Sequence, residues 1–147
     1  MGFHIIITPA DLAWAKDAVR KAKLLFPYFC SEGINTGFPE QGRHPFRDSD
    51  LEEVVLSRLW LEHYDHAAHI NRRSSSYRCK HHAENWAGRY ISNAALIAAA
   101  AGLGITQKSC QPYRGPNTYL AIKYSSWPKG LRYSTSKPGI ESVEVQS

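Results

Sequence analysis

The chain has 147 residues, 43% of them hydrophobic and 21% charged. That is enough apolar material for one self-supporting core and too little length for two ordinary domains, and it excludes a wholly disordered chain. The net charge of +5 is unevenly placed: residues 1–65 carry seven Lys and Arg against ten Asp and Glu, and residues 66–147 carry eleven against three. A split of that kind points to a polyanionic partner for the basic half, unless the two halves neutralise each other across the fold.

Met1–Ala10 has no basic lead and no long apolar run, and the longest apolar stretch, Ala94–Ala101, falls well short of the ~20 residues of a membrane span. Cys30, Cys79 and Cys110 are an odd number in no tight spacing, which fits free thiols in a reducing compartment. The expectation is a cytoplasmic protein with no membrane contact.

In chain order, Phe3–Ile7 reads as a short edge strand or an extended lead-in. Thr8-Pro9 then starts a helix, with Thr as cap and Pro in the first turn. Leu12, Ala15, Val19, Ala22 and Leu25 recur at helical spacing up to Pro27. Tyr28–Phe46 is rich in turn residues and predicts a long loop. Asp48-Ser49-Asp50 opens a second helix, whose apolar positions run from Leu51 to Ala68 and cover more than one face. Asn71-Arg72-Arg73-Ser74 reads as a break. A third helix is expected from about Ser75 to Ala87, with Cys79, Ala83, Trp86 and Tyr90 on an inward stripe and Arg78, His81, Asn85 and Arg89 on the other side. Gly88 permits a turn, and Ser92 caps a fourth helix that ends near Ala101. Ile105–Lys108 and Thr118–Lys123 alternate like two strands of a hairpin. The pattern predicts an α+β fold: a mainly helical single domain of about four helices over residues 1–125, with a small C-terminal antiparallel hairpin. Residues 126–147 read as a partly ordered tail, fastened at most by Trp127 and Tyr133.

Four features bear on chemistry. The third and fourth helices with the hairpin resemble a winged helix–turn–helix, but Asn93–Ala101 offers almost no polar group to read a base edge and is expected to be buried. Arg72, Arg73, Arg78, Lys80 and Arg89 interleave with Tyr77, Trp86 and Tyr90, and Arg114 lies beside Tyr113, a composition suited to phosphates and bases. Arginine also suits carboxylates on an acidic protein surface. His63 and His66, with Cys79 and His82, fall three residues apart and form weak metal candidates without a CxxC or HExxH pattern. Asp65 or Glu62 beside His66 is an acid–base coincidence, and no P-loop, GxSxG or GxGxxG motif occurs. No catalytic residue and no cofactor is assigned.

The run Ile70-Asn71-Arg72-Arg73, Ser76-Tyr77, Lys80-His81, Glu84, Gly88, Tyr90-Ile91-Ser92-Asn93-Ala94 and Ile97–Ala100, with Pro116-Asn117 downstream, resembles a family of small uncharacterised proteins carried by bacterial phages and conjugative elements. It covers about a third of the chain and implies a mobile-element origin and a bacterial host, with no activity attached. The leading expectation is therefore a non-enzymatic accessory protein that binds nucleic acid or a nucleoprotein complex through Arg72, Arg73, Arg78, Lys80, Arg89 and Arg114, inhibiting a host defence system. The alternatives are a pure protein–protein inhibitor of the anti-CRISPR or anti-restriction type and a metal-dependent hydrolase or nuclease.

Overall fold

The computed structural model describes residues 3–34, 46–110, 115–123 and 140–146. Within them lie β1 (Phe3–Ile7), α1 (Pro9–Leu25), α2 (Asp48–Leu61), β2 (Asp65–Ser75), α3 (Ser76–Ala87), α4 (Asn93–Gly102), β3 (Gln107–Ser109), β4 (Thr118–Lys123) and β5 (Ile140–Val145).

Local chemistry sets the helix ends. Thr8 caps α1 in a capping box: its side chain accepts from the Asp11 amide, and the Asp11 carboxylate accepts from the Thr8 amide at 2.9 Å. Asp50 does the same service for the Arg47 amide at the start of α2. Ser75 and Ser92 cap α3 and α4 by accepting from the Arg78 and Ala95 amides. Gly88 ends α3 in the left-handed region, at φ 74°.

Helix α4 is the centre. From Asn93 to Ala101 every residue is buried, and α1, α2 and α3 all pack on it. Its run of alanines lets neighbouring backbones approach closely, and at Gly102 there is no room for a side chain. A Cβ there would lie 2.7 Å from Ala18 Cβ and 2.8 Å from the Trp14 ring on α1. Trp60, Leu56 and Leu61 of α2, Ile7 of β1, and Leu120 and Ile122 of β4 complete the core.

The strands form two small sheets. In one, β1 and β5 run parallel, with Phe3 opposite Ile140 and Ile7 opposite Val145. In the other, β4 lies between β2 and β3, antiparallel to both. These findings correct the expected fold class. The four helices are present, but the molecule is not a helical domain with one C-terminal hairpin. Two segments account for the difference. Residues read as the end of the second helix and the break after it instead form β2, because α2 stops at Leu61 and backbone pairing with β4 outweighs the helical spacing of Ala67 and Ala68. Residues 140–145, read as tail, form β5, held by pairing with β1 and by Ile140 and Val143 packed against the core. Trp127 and Tyr133, the anchors expected there, lie outside the described residues.

Helix propensity alone would have Gly102→Ala gain up to about 1 kcal/mol. Contact with Ala18 and Trp14 sets the opposite sign, a loss of about 1–3 kcal/mol. Urea unfolding followed by tryptophan fluorescence checks it: an unchanged or higher midpoint would mean that α1 and α4 are not so closely apposed.

Candidate nucleic-acid interface

The basic candidates sit at different places around α3. Arg72 and Arg73 are exposed at the end of β2, and Arg78 is exposed in the first turn of α3. The Arg78 guanidinium donates to the Arg73 backbone carbonyl at 3.5 Å, which sets Arg78 beside the end of β2. Arg72 lies over the Tyr119 ring of β4, 5.6 Å from its centre. Among the described residues, no carboxylate makes an ion pair with Arg72 or Arg73.

Lys80 and Arg89 behave differently. Lys80 is 8% exposed, and its ammonium donates to Glu84 Oε1 at 2.8 Å. It also stands 4.9 Å from the Tyr90 ring centre and 5.7 Å from that of Tyr77. Lys80 is thus an internal brace between two aromatic rings, and its charge is already answered. Arg89 is half-buried in a shallow depression with Glu84, Asn85, Gly88 and Tyr90, at the opposite end of α3 from the Arg72–Arg73 corner. Arg114 lies outside the described residues.

Two aromatic side chains flank this region in the open. Tyr77 is 52% exposed and Tyr90 64%. Trp86, in the same interleaved run, is buried against Phe3 of β1. Helical spacing places Tyr90 on the inward stripe with Cys79, Ala83 and Trp86, and those three are indeed buried. Tyr90 is not, because the left-handed turn at Gly88 ends the helix two residues earlier and turns the chain outward.

Two carboxylates organise the α3–α4 connection, and the sequence assigns neither a structural role. Glu84 accepts from Lys80, from His81 Nδ1 at 3.1 Å and from the Ile91 amide at 3.3 Å. Burial pushes its carboxyl up, but those donors together hold it below the ordinary value. Glu53 of α2 accepts from the Ser92 amide at 2.7 Å. Burial raises this carboxyl, against the lowering effect of that hydrogen bond. The Lys80–Glu84 pair has a local signature in its i, i+4 spacing. The Glu53–Ser92 contact spans 39 positions and leaves no local signal.

The metal candidates are not brought together. The helix that would have put His63 and His66 on one face ends before them, leaving His63 in the turn after α2 and His66 in β2. Cys79 is fully buried, and burial together with Arg78 and His81 keeps His82 below its usual pKa. Among the described residues, no group of three or more His, Cys, Asp or Glu converges as a metal set requires. No helix among them is long and apolar enough to cross a membrane.

Two substitutions separate the carboxylates' roles. Glu53→Ala strands the Ser92 amide and should cost about 1–3 kcal/mol, whereas Glu53→Gln keeps the acceptor and loses little or nothing at neutral pH. For Glu84, whose folded value is lowered, the stabilisation is complete above the ordinary value of 4.5 and is lost as pH falls through the lowered one. The midpoint gap between the unsubstituted protein and Glu84→Gln should therefore close on acidification. A gap that is constant with pH would mean Glu84 is not the ion-pair partner of Lys80. Compared with known proteins, the chain matches no family model, no curated protein and no solved structure.

Proposed function

We propose that this is a non-catalytic binding protein that engages nucleic acid, free or within a nucleoprotein complex, through the corner where β2 meets α3. The observation that carries the reading is that Arg72, Arg73 and Arg78 are all exposed where β2 runs into α3, with Tyr77 exposed in the same turn as Arg78. Guanidinium groups neutralise phosphates and release their counterions, and an open aromatic ring supplies a stacking face. Lys80 braces this surface from within, and Arg89 extends it toward the far end of α3. Among the described residues, no carboxylate of the acidic first part of the chain pairs with Arg72 or Arg73. Among the described residues, the ion pairs apart from His4–Glu144 join positions three or four apart, and Glu53 turns inward to the Ser92 amide.

The resemblance to phage and conjugative-element proteins gives this activity a setting: an accessory protein in the bacterial cytoplasm that acts on a host complex containing nucleic acid. A helix–turn–helix mode is not part of the proposal, because α4, where the recognition helix would be, is buried from Asn93 to Ala101.

Exchanging Arg72 and Arg73 for Glu together should lower affinity for a labelled oligonucleotide by at least about two orders of magnitude. It should also reduce the slope of log K against log salt, by roughly 0.7–0.9 for each phosphate no longer neutralised. Lys16→Glu, on the exposed face of α1, is the control and should change neither. Binding that is insensitive to the double exchange would put the nucleic-acid contact elsewhere on the molecule, and a failure to bind would overturn the proposal.

A further inference from the structure

We infer that the nucleic acid taken by this surface is single-stranded, with unpaired bases stacking on Tyr77 and Tyr90; the inference rests on the binding reading above and names its ligand class. The fold puts both rings outside for separate backbone reasons. Tyr77 lies on the side of α3 away from Cys79 and Ala83, and Tyr90 is carried out by the turn at Gly88. Both rings have close neighbours. The Lys80 ammonium stands against both, held by Glu84, and the His81 ring meets Tyr77 edge-on at 4.5 Å and 90°. Rings fixed in advance lose little conformational entropy when a base stacks on them.

Two distances to one ammonium put the ring centres at most about 11 Å apart, close enough for nearby nucleotides of one strand to reach both. A duplex hides its base faces and shows only edges, which a protruding polar element must read. The helix in the recognition position, α4, is buried and nearly devoid of polar groups. What this surface offers is ring faces and guanidinium groups, the combination that binds unpaired strands with little sequence preference.

The test is fluorescence anisotropy of the full chain with a labelled mixed-sequence DNA strand, the corresponding RNA strand and the blunt DNA duplex, each across a salt series. The expected result is at least about tenfold preference for a single strand over the duplex. Tyr77→Leu and Tyr90→Leu should each weaken single-strand binding by roughly tenfold at an unchanged salt slope, and Tyr77→Trp should preserve it. Both positions are exposed, and circular dichroism verifies the fold of each variant. Equal affinity for strand and duplex, or silent leucine variants while the Arg72–Arg73 exchange still abolishes binding, overturns the single-strand assignment and leaves the broader reading standing. Failure of the unsubstituted protein to bind any of the three overturns both.

Discussion

The molecule is organised by the burial of one helix on every side. A surface helix needs a single apolar stripe, but α4 presents Ala94, Ala95, Leu96, Ile97 and four further alanines with no outward face, so other elements must enclose it. Small side chains make that enclosure tight, and Gly102 shows how little space remains between α4 and α1. The polar start of the helix is met by specific partners. Ser92 caps the first turn, Glu53 takes the Ser92 amide, and Asn93 Nδ2 donates to the carbonyls of Glu32 at 3.1 Å and Pro116 at 2.9 Å. Those contacts tie a loop from the first part of the chain and the approach to β4 to the same point. A helix committed in this way to the interior has no surface left for a ligand.

Charge on α3 is sorted by depth. Lys80 points inward to Glu84 and is used in holding rings and backbone together, whereas Arg78 remains at the surface beside Arg73. Residues of one sign, two positions apart on one helix, thus do different work. The counted excess of bases in the second part of the chain overstates what a partner can meet, since part of that charge is already neutralised by neighbours.

Most helix boundaries are legible in the sequence, because they depend on neighbouring residues: Thr8 with Asp11, Ser92 with the Ala95 amide, and Gly88 with its positive φ. The buried character of α4 is equally plain from its composition. What escapes are the features made by residues far apart. β2 is a strand because β4 lies beside it, and β5 because β1 does, and neither partnership is written in local periodicity. Ala67 and Ala68 continue a helical apolar pattern, yet α2 closes at Leu61. At the candidate site, Arg78 meets the Arg73 backbone because β2 runs directly into α3. The inward turn of Lys80 and the outward turn of Tyr90 depend on three-dimensional placement that spacing does not supply.

The parallel pairing of β1 with β5 has a bearing on how the chain is made. Phe3 and Ile140 stand side by side although 137 positions separate them, and Gln146 donates to the Ile7 carbonyl at 2.8 Å. His4 adds side-chain hydrogen bonds to Ser142 and Glu144 across the same seam. During translation, β1 emerges before β5 and waits for this neighbour until the helices between them have followed. Those helices can assemble around α4 on contacts nearer in sequence, so closure of this seam comes after theirs.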